Sequence, residues 1–341
     1  MRALVTGGLG FIGSRIAEAL LAEGHEVVVL DLADPRVHGD VPAPPRGARL
    51  VRGDVRDDAA LARAFGPAPD VVFHEAAMVG LGRGAVDAGL YSDVNVLGTL
   101  RVLSAAAAAP RRPRIVLASS MAVYGEGEYE CTPCGVTREG ARRAEDLARA
   151  MWDPLCPVCG SRLEARPTGE SQPQRGATVY AVSKIAQEAM ALAVGRETGV
   201  PVVALRYHNA YGPRMPRATP YAGVASLFKT RLLAGEPPLV HEDGRQARDF
   251  VHVDDVVQAN LLASSADAES AAFEAFNVGS GEARPILDLA EGLCRAILPG
   301  SRPVLTGAWR AGDARHVYGS IAKARRVLGY APRVAFADGV R

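Results

Sequence analysis

A tyrosine and a lysine stand four residues apart in the segment Val-Tyr-Ala-Val-Ser-Lys, as Tyr180 and Lys184. On a helix this spacing places both side chains on one face, one turn apart. A phenol with a pKa of about 10 is a poor base at neutral pH, but an ammonium group one turn away favours the phenolate. The pair could therefore take a proton from a substrate hydroxyl. Because a Tyr-x-x-x-Lys pattern also occurs by chance, its surroundings decide its meaning.

A glycine-rich turn near the start of the chain separates a short strand, residues 2–6, from a helix predicted over residues 11–22. In a βαβ unit of this kind Gly7 permits a tight turn, Gly10 lets the backbone approach a pyrophosphate, and Gly13 allows close packing. The N–H groups and the positive dipole at the start of the helix favour phosphate. The pattern predicts a dinucleotide site; a turn whose glycines serve only packing is the alternative.

A carboxylate follows the next predicted strand, residues 27–30, because Asp31 stands 18 residues after Gly13. At this position a carboxylate accepts hydrogen bonds from the adenosine ribose and repels a 2′-phosphate. We therefore expect NAD rather than NADP, although the nearby Arg36 could weaken that preference.

The predicted strand over residues 115–118 ends in Ser119 and Ser120, at the edge where open α/β sheets bind their ligands. The glycine turn, the serine pair and the Tyr180/Lys184 pair, in this order, resemble the extended short-chain dehydrogenase/reductase family, and within it the NAD-dependent nucleotide-sugar epimerases and dehydratases. The resemblance runs from Met1 to about residue 336. It implies an α/β fold, with a doubly wound parallel Rossmann sheet and a smaller mixed α/β substrate lobe.

The resemblance also implies a domain division. Residues 1–206 would bind NAD, with a cysteine-rich insertion at 126–172. Residues 207–341 would mainly form the substrate lobe, with 250–280 returning to the Rossmann sheet. Members of the family form dimers through a helix bundle that contains the Tyr180 helix, so we expect a homodimer.

Site residues follow from the same resemblance. By its register against Val123-Tyr124-Gly125, Ser120 matches the catalytic serine, beside Tyr180 and Lys184. The expected NAD contacts beyond the glycines and Asp31 are Phe11, Ile12, Asp54, Val55, Ala76, Ala77, Asn95, Tyr180 and Lys184. For Asn95, a surface position on a helix over residues 91–109 is the alternative.

The residues after Ser120 discriminate between reactions. Related 4,6-dehydratases and decarboxylases carry acidic residues here, whereas this chain has Met121 and Ala122. An epimerase, which removes a hydride and returns it to the opposite face, needs only the Ser/Tyr/Lys set and retained NAD. Through its four paired cysteines and its segments 206–213 (Arg-Tyr-His-Asn-Ala-Tyr-Gly-Pro) and 220–224 (Pro-Tyr-Ala-Gly-Val), the chain most resembles dTDP-L-rhamnose 4-epimerases. Three alternative functions remain: a UDP-hexose or UDP-uronate 4-epimerase, an NAD(P)H-dependent 4-ketosugar reductase and, remotely, a non-catalytic NAD-binding sensor.

The second half of the chain carries the predicted nucleotide-sugar site. Arginine binds phosphate oxygens in a bidentate manner, and Arg248 is the candidate for the diphosphate. The resemblance adds a set of substrate contacts: Asn209, Tyr221, Val224, Arg310 and Asp313. His208 is interpreted as a packing or substrate-contact residue, and His252 and Asp255 as braces of a strand-to-helix junction.

Four of the five cysteines form two pairs, Cys131/Cys134 and Cys156/Cys159, separated by 21 residues. Two Cys-x-x-Cys pairs at such a distance are typical of a tetrahedral zinc site, which four thiolates would make structural rather than catalytic. Redox-active or free thiols are the alternative. A nucleic-acid-binding ribbon is disfavoured, because arginines and acidic residues alternate over 131–159, which we interpret as a solvated helix.

Composition adds two exclusions. The 341 residues carry a formal net charge of +1, which favours neither nucleic acid nor a membrane surface as a partner. No apolar run approaches the roughly 20 residues of a membrane-spanning helix. Because the first residues are already predicted to form a strand and a turn, we expect no signal peptide. We expect a cytoplasmic protein.

Overall fold

The computed structural model describes residues 1–35, 42–79, 84–140, 142–216, 223–310 and 312–341. Seven parallel strands form its largest sheet, in the spatial order β14-β9-β5-β4-β1-β2-β3. These strands are β1 Arg2–Thr6, β2 Glu26–Asp31, β3 Arg49–Arg52, β4 Val71–His74, β5 Arg114–Ser120, β9 Val202–Tyr207 and β14 Glu274–Val278. They are rich in valine, isoleucine and leucine, as strands covered on both faces are.

Helices cover both faces of this sheet. On one face lie α1 Phe11–Ala22, α8 Val253–Ser265 and α11 Ala322–Leu328. On the other lie α2 Asp58–Phe65, α4 Gly98–Ala108 and α6 Val179–Thr198. The predicted doubly wound sheet is confirmed. The strand order reverses between β1 and β4, and ligands of such sheets bind at the carboxyl ends of the strands at that point.

Between β4 and β5, one helix was predicted over residues 91–109. The structure instead shows α3 Ala88–Tyr91, a π-helical segment Ser92–Leu97, and α4. Asn95 lies in the π-helical segment, and single π turns are common at functional sites.

The smaller lobe consists of short strands and two packed helices, α7 Val224–Leu233 and α10 Ile286–Ile297. Its strands are β10 Asn209–Tyr211, β11 Leu239–Val240, β12 Ala247–Arg248, β13 Phe250–His252, β15 Arg284–Pro285, β16 Val304–Leu305 and β17 His316–Val317. Two short helices complete the described part of the chain: α9 Ala268–Ala271 and α12 Phe336–Gly339. None of the described helices is both long enough and apolar enough to span a bilayer.

The cysteine-rich insertion forms its own three-stranded antiparallel sheet, with β6 in the centre. Its elements are β6 Glu128–Cys131, β7 Val136–Glu139, α5 Ala144–Ala148 and β8 Glu164–Arg166. A small core of Tyr129, Cys131, Cys156 and Leu163 holds it together. A core of this size buries little apolar surface, so the insertion needs further support.

Candidate active site

Ser120 and Tyr180 meet at the carboxyl end of the sheet. Ser120 is the last residue of β5, and its hydroxyl accepts a hydrogen bond from the Ala122 N–H at 3.2 Å. Tyr180 lies in the first turn of α6, which Thr178 caps by accepting from the Ala181 N–H. Burial raises the pKa of Tyr180, and a hydrogen bond with Ser120 acts in the opposite direction. The structure thus brings together two of the residues predicted to do chemistry.

Lys184 is 2% exposed, and its ammonium group donates to the Ala118 carbonyl and to Gln187 Oε1, both at 2.8 Å. Burial lowers its pKa to about 8, while the carboxylates of Glu75 and Glu188 act in the opposite direction. Lys184 is not among the groups that shift the pKa of Tyr180 in this structure. Burial of the phenol dominates, and the lysine charge is directed towards a strand carbonyl and an amide.

A buried hydrogen-bond chain behind Lys184 was missed by the sequence analysis. The Thr99 hydroxyl donates to the Asn95 carbonyl at 2.7 Å and accepts from Gln187 Nε2 at 2.8 Å. His74 Nε2 lies 2.8 Å from the same hydroxyl oxygen, and His74 Nδ1 lies 2.7 Å from the Thr6 hydroxyl. The Thr99 hydroxyl already donates its proton to the Asn95 carbonyl. His74 must therefore donate to Thr99 through Nε2 and accept from the Thr6 hydroxyl at Nδ1.

The neutral form of His74 fits this arrangement, because burial lowers its pKa to about 3. His74 is a polar residue within the valine-rich strand β4, and this was the sequence signal that could have identified the hydrogen-bond chain.

A buried ion pair fixes the other side of the catalytic helix. Arg206 Nη2 lies 2.6 Å from Glu188 Oε1, and the two side chains are 6% and 3% exposed. Ser119, next to Ser120, donates to Glu188 Oε2 at 2.6 Å. The ion pair therefore ties α6 to β5 and β9, the two strands that border it.

The glycine turn has the shape expected for a pyrophosphate cradle. Gly7 has a φ of +68°, and a Cβ there would lie 2.7 Å from the Ala76 nitrogen. A Cβ on Gly13 would lie 2.4 Å from the Gly7 carbonyl oxygen. Gly10, by contrast, would meet only that oxygen, at 3.1 Å, so its outer side faces open space. Gly10 precedes α1 without a side-chain cap among the described residues, which leaves N–H groups of the first turn available for a ligand.

Two carboxylates predicted to contact NAD lie at the ends of neighbouring strands. Asp31 is 7% exposed and accepts from the backbone N–H groups of Leu9 and Ala33, at 3.0 and 2.8 Å. Asp54 accepts from Arg56 Nη2 at 2.7 Å. Burial alone would raise the pKa of Asp54, but the hydrogen bonds from Arg56 lower it. Arg36 lies outside the described residues.

The remaining predicted NAD contacts line the same edge of the sheet. Asn95 is completely buried rather than on the surface, and its amide contacts both backbone groups of Met78 and the Ser183 hydroxyl. It therefore joins the loop after β4 to the catalytic helix. The other positions are Phe11 and Ile12 at the start of α1, buried Val55, and partly buried Ala76 and Ala77.

The predicted substrate residues are less closely grouped. Arg248 is partly exposed and lies near the charges of Asp313 and Glu126. Asn209 Oδ1 is buried without a hydrogen-bond partner among the described residues, an unsatisfied acceptor that a polar ligand group could serve. Arg310 is exposed.

Val224 begins α7 and packs against the core of the smaller lobe. Tyr221 lies outside the described residues.

The three other polar residues singled out near this lobe are packed or bracing. His208 is 4% exposed, and both ring nitrogens lack a hydrogen-bond partner within the described ranges. His252 accepts from the Asp254 N–H at the start of α8, and Asp255 accepts from the N–H groups of Arg333 and Val334.

The four cysteine sulfur atoms of the insertion lie within 4.8 Å of one another. Cys131 and Cys159 are 3.4 Å apart, and Cys134 and Cys156 are 3.9 Å apart. A tetrahedral zinc ion at about 2.3 Å from each sulfur would hold the sulfurs about 3.8 Å apart. The backbone N–H groups of Cys159 and Val158 donate to Cys156 and lower its pKa to about 6. The donor set therefore fits a thiolate-bound metal.

The interpretation of 131–159 as a solvated helix is wrong for Arg142. Its side chain is only 4% exposed and pairs with Glu242 of the smaller lobe at 2.7 Å. Its neighbour Arg143 is 71% exposed and pairs with Asp146. The helix α5 spans only residues 144–148, so Arg142 lies outside it, two residues before its start. Sequence alternation could not separate these two arginines.

Three features together define a Rossmann-fold enzyme that uses a dinucleotide. They are the parallel sheet, the glycine turn at the point where the strand order reverses, and the Ser/Tyr/Lys set. Comparison with known families specifies the class: residues 3–142 and 156–279 match the model of the NAD dependent epimerase/dehydratase family. The chain belongs to this family. The residues between the two matched ranges, 143–155, lie inside the cysteine-rich insertion.

Several relatives are similar along their whole length. A dTDP-L-rhamnose 4-epimerase from Burkholderia thailandensis is 34% identical over 99% of this chain and 92% of its own. The structure of Thermus thermophilus UDP-glucose 4-epimerase in complex with NAD has a TM-score of 0.78 and 32% identity, covering 100% of this chain and 97% of that one. Thermotoga maritima UDP-glucose 4-epimerase with UDP-glucose has a TM-score of 0.79 and 27% identity, covering 100% and 96%.

Proposed function

We propose that this enzyme catalyses the NAD-dependent C4 epimerisation of a nucleotide-diphosphate sugar, with dTDP-L-rhamnose as substrate and dTDP-6-deoxy-L-talose as product. The observation that carries the proposal is that Ser120 and Tyr180 meet beside buried Lys184, with Met121 and Ala122 in place of an acid after the serine. A dehydratase or decarboxylase needs a proton-transferring group at that position. The similar dTDP-L-rhamnose 4-epimerase supports the choice of sugar.

NAD would accept and return the hydride when bound, held by the glycine turn and Asp31. Tyr180 takes the proton of the C4 hydroxyl and later returns it, so it must ionise during the reaction. Ser120 orients that hydroxyl, and the Lys184 ammonium stabilises the phenolate. Asn209, Arg248 and Arg310 would hold the nucleotide diphosphate and Asp313 its ribose, while the sugar presents each face in turn.

The test is NMR of the purified enzyme with dTDP-L-rhamnose, UDP-glucose or UDP-glucuronate and no added reductant. We expect a C4-inverted sugar at equilibrium in the dTDP-L-rhamnose tube. Inversion only in a tube with a UDP-sugar would support C4 epimerisation but would make the UDP-sugar the substrate. The similarity to UDP-glucose 4-epimerase structures makes this the alternative to test. Turnover only of a 4-ketosugar with added NADH or NADPH would make the enzyme a reductase instead.

We also propose that the four paired cysteines hold one structural zinc ion, supported by the sulfur spacing and by the N–H groups directed at Cys156. Elemental analysis should find one zinc per chain. Cys134→Ser should lose it, whereas Cys294→Ser, a buried cysteine of α10 remote from the cluster, should retain it. A zinc-free protein that keeps its thermal stability would contradict the proposal.

That the protein is a homodimer in the cytoplasm stays a prediction. Light scattering would measure the number of chains in the assembly.

A further inference from the structure

A cluster of buried ion pairs joins the cysteine-rich insertion to the smaller lobe. From the insertion, Arg142 pairs with Glu242, and Asp153 accepts from Arg315 Nε at 2.8 Å. Arg315, whose side chain is 1% exposed, also contacts Glu242 at 2.9 Å and Asp243 at 2.6 Å. Buried charges are stable only when they are paired and hydrogen-bonded. The two parts of the protein are therefore held in a fixed arrangement.

The same arginines hold the backbone of the segment that contains Asp313. Arg142 Nη2 donates to the Asp313 carbonyl. Arg248 donates to the next two carbonyls, through Nη2 to Ala314 at 2.6 Å and through Nη1 to Arg315 at 3.1 Å. Three consecutive carbonyls thus each accept from a buried or half-buried guanidinium. This segment begins next to the catalytic helix, because a Cβ on Gly312 would lie 3.6 Å from the Ala177 carbonyl.

Glu126 lies at the centre of this arrangement. It accepts from the Arg315 N–H at 2.9 Å and from the Tyr129 hydroxyl at 2.9 Å, and it lies 3.3 Å from Arg142 Nε. Its charge also acts on Arg248. Loss of Arg142 would leave Glu126 and Glu242 with fewer partners and would free the Asp313 carbonyl.

The cysteine pairs flank the segment that carries Arg142. Arg142 and Asp153 both lie in the 21-residue segment between Cys134 and Cys156. A metal ion that joins the two pairs closes this segment into a loop and removes the conformational freedom of an open chain. Each pair is followed by a glycine in the left-handed region, Gly135 and Gly160, whose N–H donates back to the first cysteine's carbonyl. The two turns are therefore shaped to present their sulfurs to a common centre.

We propose that Arg142 is a positioning residue for the nucleotide-diphosphate pocket and that metal binding by the four cysteines holds it in place. Metal occupancy and nucleotide affinity are then coupled, although the cysteines lie outside the catalytic set. The inference rests on the proposed function for the assignment of Arg248 to the diphosphate and of Asp313 to the ribose of the nucleotide. Arg142 acts through these two residues and does not touch the reacting atoms.

The test measures binding of dTDP and of UDP by calorimetry to the purified full-length enzyme with its NAD content determined. Arg142→Met should weaken binding about tenfold, within the range of coupling through such networks, with NAD content unchanged. Arg143→Met is the matched control, because that arginine is exposed and its ion pair among the described residues is with Asp146 within α5. The affinity of this variant should stay within about twofold of the wild type.

A second arm removes the metal. Cys134→Ser should weaken dTDP or UDP binding to a similar extent, and combining it with Arg142→Met should add little, since both changes release the same segment. If Arg142→Met fails to fold, Cys134→Ser and Arg142→Lys, which keeps the charge but not the fork of donors, carry the test. Unchanged affinity in the folded variants overturns the inference. A wild-type enzyme that binds neither nucleotide would overturn the proposed function instead.

Discussion

The Lys184 ammonium donates to the Gln187 amide oxygen at 2.8 Å, within one turn of the same helix, and both side chains are almost completely buried. Gln187 in turn donates to the Thr99 hydroxyl at 2.8 Å. The lysine that we propose to stabilise the Tyr180 phenolate is therefore itself oriented by a hydrogen-bond chain that continues to His74. Such a chain fixes the ammonium without adding a negative charge that would compete with the phenolate.

Gln187→Leu should lower kcat about tenfold, because the ammonium loses an acceptor and Thr99 loses a donor in a buried site. The basic limb of the pH–rate profile should also move, since it reports the groups that Lys184 influences. Gln187→Glu restores an acceptor for Lys184 and should recover part of the rate. An unchanged pH profile in Gln187→Leu would reduce Gln187 to a packing residue.

Motif spacing was enough to predict that the proposed catalytic side chains lie at one edge of the sheet. A four-residue spacing on a helix must place Tyr180 and Lys184 on one face, and parallel strands must deliver Ser120 and Asp31 to the same edge of the sheet. The doubly wound sheet was predicted from the resemblance to the extended short-chain dehydrogenase/reductase family. The meeting of the proposed catalytic side chains depends on local spacing and on general rules of topology, so the sequence alone contains it.

The supporting residues could not be predicted in this way. Gln187 and Thr99 lie on helices where polar residues are usually exposed, and only the packing of α4 against α6 shows that they meet. Arg142 and Arg143 are chemically identical neighbours, yet one is buried against the smaller lobe and the other faces solvent. Such assignments depend on contacts between segments far apart in the chain.

Tyr180→Phe should reduce epimerisation by about 10²–10⁴-fold, because it removes the proton-transferring hydroxyl but keeps the ring. NAD content should stay the same, since the glycine turn and Asp31 are unaltered. Tyr318→Phe removes a hydroxyl that donates to the Ala165 carbonyl in the insertion, and its rate should stay within about threefold of the wild type. Substantial turnover by Tyr180→Phe, measured by NMR, would assign the proton transfer to another group.

Asp31→Asn should narrow the preference for NAD over NADP. The carboxylate repels a 2′-phosphate and accepts from ribose hydroxyls, and the amide loses the negative charge. We expect NAD affinity to fall about tenfold and NADP affinity to rise, measured by calorimetry on cofactor-depleted enzyme. Asp57→Asn, at the start of α2 on the surface, should change neither. Tighter binding of NADP than of NAD by the wild type would contradict the role given to Asp31.

Glu75→Gln should stabilise the protein more at pH 8 than at pH 5. Burial raises the pKa of Glu75 from 4.5 to about 7, while the hydrogen bond from the Tyr207 hydroxyl at 2.7 Å acts in the opposite direction. Below the pKa that Glu75 has in the unfolded chain, its carboxyl is protonated in both the folded and the unfolded state. It then does not change the free energy of unfolding. Between that value and about 7 the unfolded chain ionises and the folded protein does not, so folding loses stability as pH rises.

Glutamine at this position removes the ionisation. Because Glu75 is partly exposed, we expect the advantage of the variant to grow by about 1 to 2 kcal/mol between pH 5 and pH 8, measured by urea unfolding at matched NAD content. Glu197→Gln, on the exposed end of α6, should show a difference that does not vary with pH. If the Glu75→Gln difference were equally flat, the carboxyl would be ionised in the folded protein throughout this range.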